Sequence, residues 1–161
     1  MFYVVLLGGE HPRAKLELHD IVFLFADRIE DAYDRLRAAW FAAPGKVHID
    51  GWMELDGLDG YRIESADAPA VPGEPRLYCA QLGGYTESVF GEAHPLHLVV
   101  APDAATAKRQ TRQASAGTLL ALHTDALIDV DRHLLDQHTH LRLTRGEHRA
   151  PIVRSEYRQM V

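Results

Sequence analysis

The chain has 161 residues, of which 17 are Lys or Arg and 23 are Asp or Glu, so its formal net charge is −6. This acidic balance argues against nucleic acid as a partner, because such binding depends on basic side chains. No apolar run approaches the ~18 residues that span a bilayer, and a single cysteine, Cys79, excludes an intramolecular disulfide. We therefore predict a soluble cytoplasmic protein with no membrane partner, folded as one ordinary domain or two very small ones.

Two strands are predicted at the N-terminus. Residues 2–7 are all apolar, which is typical of a strand covered on both faces and not of a signal peptide. The pair Gly8-Gly9 and a polar segment over residues 10–19 separate this strand from a second apolar run over residues 20–26.

A helix is predicted next. Asp27 and Glu30 have the spacing of a capping box, and Pro44-Gly45 are expected to end the helix. Between them, apolar residues recur at helical spacing: Ile29, Ala32, Tyr33, Leu36 and Trp40.

A half-buried strand is predicted over residues 47–55, because apolar and polar side chains alternate there. The alternation assigns Val47, Ile49, Met53 and Leu55 to one face, and His48, Asp50, Trp52 and Glu54 to the other. Turn residues and a short strand over residues 61–63 complete a β-β-α-β-β unit.

The same unit occurs a second time. Residues 2–56 align without a gap on residues 77–131, and the identical pairs include Gly8-Gly9 with Gly83-Gly84, Glu17 with Glu92, His19 with His94, His48 with His123, and Asp50 with Asp125. The second unit predicts a helix over residues 103–117 and strands over residues 77–82, 96–101, 122–130 and 141–143. Such a repeat constrains the whole fold.

The predicted organisation has four parts: a first repeat, an Ala- and Pro-rich linker, a second repeat and a basic tail, over residues 1–64, 65–75, 76–145 and 146–161. Repeats of this size rarely build a stable core alone, so we expect them to share one. The predicted fold class is α+β: a two-layer, pseudo-two-fold arrangement with mixed sheets and one main helix in each repeat.

Charge is unevenly distributed along the chain. Acidic side chains dominate the first repeat, whereas the closing segment is rich in arginine, including Arg149, Arg154 and Arg158. Two interpretations stay open: a solvated tail, or a basic arm that docks on the acidic first repeat of the same chain or of a partner chain.

Several of these segments together resemble a small bacterial family named for its "domain of unknown function 1543". The resemblance rests on Leu7-Gly8-Gly9, His19-Asp20, the strand over residues 23–26, His48-Ile49-Asp50-Gly51-Trp52 and Asp59-Gly60-Tyr61-Arg62-Ile63. It is weaker in the second unit, where Pro95, Thr124 and Leu127 replace Asp20, Ile49 and Trp52. The family's domain occurs in one or two copies per chain, so the resemblance implies a duplicated domain and no particular activity.

The duplicated histidines and aspartates are the residues best suited to chemistry. Residues i and i+2 of a strand share a face, so His48 and Asp50 are predicted to project together, with His19 at the start of a neighbouring strand. Two imidazoles and one carboxylate suit Zn²⁺ or Fe²⁺ with an open position, provided that they lie within about 8 Å of one another. The second unit offers a corresponding set: His94, His123 and Asp125.

Two other roles for these residues stay open. A His–Asp pair can act as a general base, which makes His19, His48 and Asp50 the candidate catalytic residues. The same side chains can instead anchor the loop over residues 10–19 to the sheet, because buried polar groups must be paired in any protein.

The remaining features have mainly structural interpretations. The glycine pairs predict bulges or positive-φ turns, since no helix follows them directly to complete a phosphate loop. Trp52 and Tyr61 are candidates for a ligand pocket or for a covered packing contact, and Cys79 is predicted to be a small buried hydrophobe. A polar insertion that faces solvent is predicted around His133, His138 and His140.

No Ser-centred elbow, P-loop, CxxC pair or HExxH motif occurs in the sequence. We therefore predict a non-enzymatic binding or interaction protein without a cofactor, whose partner is a small molecule or a protein, including a second copy in a homodimer. The alternative is a metal-dependent or His–Asp hydrolase-type enzyme that uses a divalent metal at the His-x-Asp strand of the first unit.

Overall fold

The computed structural model describes residues 1–42 and 46–161, and over these residues the chain is mostly β, with 47% strand and 16% helix. They contain two short α-helices, α1 (Tyr33–Ala39) and α2 (Ala104–Ala114), and ten strands: β1 (Phe2–Gly9), β2 (Leu18–Phe25), β3 (Val47–Leu55), β4 (Gly57–Leu58), β5 (Tyr61–Ala66), β6 (Arg76–Tyr85), β7 (Leu96–Ala101), β8 (Leu120–Asp129), β9 (His140–Arg145) and β10 (Ile152–Arg158). The predicted α+β class is therefore wrong.

The described strands form three antiparallel sheets, so the prediction of mixed sheets is also wrong. The first has the order β10-β3-β1-β2, the second β7-β6-β8, and the third β4-β5-β9. In the first sheet β1 lies between β2 and β3, and in the second sheet β6 lies between β7 and β8. Each of these two inner strands is the first strand of its half of the chain and pairs with the next two long strands.

The helices are too short to form a layer of one main helix per repeat. The first helical segment opens with a 3₁₀ turn over Ile29–Ala32, and α1 then has only seven residues before Trp40 turns to an extended conformation. At the start of this turn the Asp31 carboxylate accepts a hydrogen bond from the backbone N–H of Arg28. The predicted acceptor was Glu30, one residue earlier. The predicted stop at Pro44-Gly45 lies outside the described residues.

Much of the core lies between the sheets, while the first helical segment covers the other face of the first sheet. Buried side chains from all three sheets pack against one another in one cluster, which joins residues of both halves of the chain: Phe2, Val4, Phe23, Leu55, Ile63, Leu77, Cys79, Val100, Val130, Leu134 and Leu141. The sheets thus cover much of one another's apolar surface, and α2 buries only Ala107 and Thr111.

A β-bulge in β3 corrects the predicted side-chain alternation. Leu6 of β1 lies opposite Gly51 and the next residue, Leu7, lies opposite Ile49, so Asp50 is an extra residue in β3. One extra residue reverses the alternation beyond it. Trp52 therefore packs beside Ile49 in the core next to α1, and does not share a face with His48 and Asp50 as predicted.

The arginine-rich closing segment docks on the first half of the chain as strand β10. It pairs antiparallel with β3, and Arg158 lies 3.1 Å from Glu30 Oε1 and over the ring of Trp52. Just before it, Arg149 lies 2.6 Å from Asp56 Oδ2 and lowers the pKa of that carboxyl. The sequence did not predict this strand, because most of its side chains are exposed and it lacks an apolar period.

We expect Cys79 to resist thiol reagents in the folded protein. Its side chain is buried in β6, and burial raises the pKa of its thiol to about 12. At pH 8 only about one molecule in ten thousand then carries the reactive thiolate. Labelling with a maleimide should be complete in denaturant and negligible without it; rapid labelling of the native protein would contradict the burial.

Candidate functional site

Three strands of the first sheet bring the predicted site together. In the registers of β1 with its two neighbours, Gly8 lies opposite His19 of β2 and opposite His48 of β3. The two histidines thus flank a residue that has no side chain, and Asp50 in the bulge projects into the same space. The site depends on strand pairing as well as on the His-x-Asp spacing.

The side-chain atoms of this first cluster are in close contact. Asp50 lies between the two histidines, with Oδ1 3.0 Å from His48 Nε2 and Oδ2 3.0 Å from His19 Nε2. Glu17 adds a second carboxylate, 3.1 Å from His48 Nε2 and 3.7 Å from His19 Nε2. These separations are far below the limit of about 8 Å that a shared metal ion sets.

The geometry of these contacts differs from that of hydrogen bonds. Asp50 Oδ2 is buried and has no hydrogen-bond partner among the described residues. His19 Nε2 lies at hydrogen-bond distance from it, but the angles of this contact are unsuitable for a hydrogen bond. Nitrogen and oxygen atoms that share a Zn²⁺ at about 2.1 Å lie about 3.0–3.5 Å apart. The ligand atoms of Glu17, His48 and Asp50 therefore converge as ligands of one ion do, and His19 lies beside them, in contact with the other oxygen of each carboxylate.

Glu17 is a site residue that the sequence analysis did not select. Ligand atoms of Glu17, His48 and Asp50 all lie within 4.8 Å of one another. The signal was present, because Glu17 and His19 share the i, i+2 spacing of His48 and Asp50 and the alignment of the two units matches Glu17 with Glu92. Glu17 lies just before β2, in the segment over residues 10–19 that the sequence predicts to be a polar connection.

The second half of the chain holds a second cluster of the same residue types. His123 Nε2 lies 3.0 Å from Asp125 Oδ1 and 3.1 Å from Glu92 Oε1, and His94 Nδ1 lies 2.8 Å from Asp125 Oδ2. Gly83 lies opposite His123 in the register of β6 and β8. The predicted set of His94, His123 and Asp125 is thus brought together, again with an additional glutamate.

The two clusters differ in exposure and bonding. The side chain of His48 is 13% exposed, and its ring lies tilted against that of Tyr157 in β10 with the ring centroids 4.4 Å apart, whereas the side chain of His123 is 48% exposed. The Ala121 carbonyl that contacts His123 Nδ1 raises the pKa of this histidine, and Glu92 and Asp125 act in the same direction. His94 makes an ordinary hydrogen bond to Asp125.

The glycine pairs lie within β1 and β6 and do not form positive-φ turns. A Cβ atom on Gly8 would lie 2.8 Å from His48 Nε2 and still closer to Asp50 Oδ2, and a Cβ atom on Gly83 would meet His123 and Asp125 in the same way. Gly8 and Gly83 therefore provide the space that each cluster occupies.

The other predicted site residues lie apart from the clusters. Trp52 is buried beneath Arg158, and Tyr61 is in the third sheet, where Arg145 lies over its ring at 4.8 Å. In the insertion, His140 lies 3.3 Å from Asp131, whereas His133 and His138 are exposed. The first cluster adjoins a cavity of about 520 Å³ lined by Glu17, Arg37, Lys46, His48 and Tyr157, among others.

None of the helices in the described ranges is long and apolar enough to cross a membrane. A search of curated proteins finds no match to the chain.

Two comparisons with known proteins relate the chain to others. A family model described as "Domain of Unknown Function (DUF1543)" matches residues 14–65, which include all four residues of the first cluster. The crystal structure of protein Il1583 from Idiomarina loihiensis is similar to this chain at 30% sequence identity and a TM-score of 0.71, over 98% of this chain and 95% of the other. The family model matches one copy of the domain, and the chain belongs to the DUF1543 family.

Proposed function

We propose that this protein binds a divalent transition-metal ion, with Zn²⁺ as the best fit, through Glu17, His19, His48 and Asp50. The convergence of Glu17, His48 and Asp50 ligand atoms within 4.8 Å carries this proposal. The buried, unpartnered Asp50 Oδ2 supports it, because a buried carboxylate oxygen without a hydrogen bond is costly unless a cation satisfies it.

The ligand types narrow the choice of metal. Imidazole nitrogens suit Zn²⁺, Fe²⁺ and Ni²⁺, whereas Ca²⁺ and Mg²⁺ prefer sites made of oxygen atoms alone, and Cu⁺ prefers sulfur. Glu17, His48 and Asp50 supply three of the four positions of tetrahedral Zn²⁺, and His19 would supply the fourth after a small movement of its exposed side chain. A filled coordination sphere favours binding over turnover, which agrees with a non-enzymatic binding protein.

The alternative is a hydrolase-type metalloenzyme. The cavity of about 520 Å³ beside the cluster supports this alternative, because Glu17 and His48 line it and a substrate there could reach the metal. His19 and Glu17, with side chains 48% and 43% exposed, are the ligands whose displacement would open a position for water. In this role the chain's own residues would hold the metal, and Lys46 and Arg37 would orient an anionic substrate.

We further propose that the chain contains two tandem copies of the family domain and acts in the cytoplasm. The duplicated Glu, His, His and Asp positions and the shared strand pairing around β1 and β6 support the two copies. The presence of only one cysteine, buried in β6, agrees with a reducing compartment.

His48→Ala is expected to remove metal binding at the first cluster. Calorimetric titration with Zn²⁺ should be done in a His123→Ala background, so that the second cluster does not contribute. Loss of one ligand should weaken binding by at least about 100-fold. His138→Ala, which removes an exposed histidine outside both clusters, is the matched control and should bind like the parent protein.

Two results would separate the proposals. Unchanged Zn²⁺ binding after His48→Ala, together with lower thermal stability without metal, would support the loop-anchoring role instead. Hydrolysis of an activated ester by the Zn²⁺-loaded protein, abolished by His48→Ala, would favour the enzyme.

A further inference from the structure

Strand β10 is an unprotected edge of the first sheet. It pairs on one side with β3, and its other side has no strand partner among residues 1–42 and 46–161. Three large apolar side chains of this strand are exposed: Ile152 by 40%, Val153 by 59% and Tyr157 by 64%. Free edges of this kind are templates for pairing with another chain, and proteins usually cover or blunt them.

We propose that β10 pairs antiparallel with β10 of a second copy of this chain, about a two-fold axis through Ser155. Ser155 is the central residue of the seven-residue strand, so this register centres the pairing on the strand. The pairing of β10 with β3 is regular over residues 152–155 and its register shifts between Ser155 and Arg158. The first sheet of one copy then continues into that of the other.

The sequence of β10 is self-complementary in this register. Arg154 lies opposite Glu156 of the second copy, and Glu156 opposite Arg154, which makes two pairs of opposite charge. On the other face, Val153 lies opposite Tyr157 of the second copy, a pair of a β-branched and an aromatic side chain. Both kinds of cross-strand pair stabilise antiparallel sheets.

Neighbouring two-fold registers are unfavourable. A shift of the axis to residue 154 places Arg154 opposite itself, and a shift to residue 156 places Glu156 opposite itself. A two-fold axis midway between two residues would pair residues whose side chains point to opposite faces of the sheet, which antiparallel pairing does not allow. Arg154 has no ion-pair partner among the described residues, whereas Glu156 already contacts Arg158 of its own strand, so the second copy's Arg154 would join an existing pair.

The dimer does not depend on the proposed metal site, although Tyr157 contributes to both. Its ring contacts His48 within the chain, and in the proposed pairing it also faces Val153 of the second copy. An interface of one strand edge is small, so we expect a dissociation constant on the order of micromolar.

Sedimentation equilibrium of the metal-free protein tests the proposal through a charge-swap series. Arg154→Glu and Glu156→Arg each place like charges opposite one another twice and should weaken the dimer by at least about ten-fold. The double variant R154E/E156R restores opposite charges and should dimerise like the wild type. Glu87→Arg, a charge reversal in the exposed loop after β6, is the matched control.

Mixing the two single variants provides the sharpest test. Arg154→Glu offers two acidic positions and Glu156→Arg offers two basic ones, so the two proteins should form a one-to-one heterodimer although each alone is largely monomeric. Unchanged circular dichroism and melting temperature would show that each variant is folded. A wild type that stays monomeric at every concentration, or single variants that dimerise as the wild type does, would overturn the proposal.

Discussion

Replacing Gly8 with alanine should abolish metal binding at the first cluster and leave the fold largely intact. The new methyl group would occupy the space now taken by His48 Nε2 and Asp50 Oδ2. Both are side-chain ends that can move away, so we expect a change in unfolding free energy below about 1 kcal/mol. The Zn²⁺ affinity, measured by calorimetry in the His123→Ala background, should fall by at least about 100-fold.

Two other glycines provide the controls for this experiment. Gly83→Ala should displace His123 and Asp125 and leave the first cluster unchanged, because Gly83 serves only the second cluster. Gly9→Ala would instead meet the backbone carbonyl of Lys46 and the ring of Trp40, so it should lower stability and not act on the ligands directly. Normal Zn²⁺ binding by Gly8→Ala would show that the cluster does not hold the metal.

Replacing Phe23 with alanine should cost about 3–5 kcal/mol of unfolding free energy, the range for large-to-small changes of a buried aromatic residue. Phe23 is 1% exposed and packs in the cluster that joins both halves of the chain. The chain should unfold in one transition, because neither half keeps a complete core when this cluster is lost. Urea denaturation in the presence of a chelator measures this cost without a contribution from bound metal.

Phe90→Ala is the matched control for this second experiment. Phe90 is fully exposed in the loop between β6 and β7, so its removal should leave the urea midpoint unchanged. Two separate transitions in the parent protein, or a cost below about 1 kcal/mol for Phe23→Ala, would contradict a core shared between the halves.

The strands were the most predictable part of the fold. The strand predicted over residues 47–55 is β3, and the one predicted over residues 96–101 is β7, with the same bounds. Alternation and uninterrupted apolar runs are local patterns, so they can be recognised without knowledge of the partners. The strand β10 was missed because it is held by pairing and ion pairs and buries little of its own surface.

The helices were over-predicted for a related reason. Ile29, Ala32, Leu36 and Trp40 are all buried, as their spacing predicted, but the spacing did not show that part of the segment is a 3₁₀ turn. Helical spacing indicates which residues face the core. It cannot indicate that the helical segment is short, nor that only one face of the first sheet packs against it while the other face packs against the other sheets.

The His-x-Asp pairs and the matching glycines follow from the sequence alone, because identical residues at a constant offset are visible without coordinates. Only the tertiary structure decided that Gly8 lies between His19 and His48, that Glu17 joins them, and that a bulge at Asp50 turns Trp52 to the other face. The physical reason is strand register: it depends on pairing between segments distant in the chain, and a single inserted residue reverses every side chain beyond it.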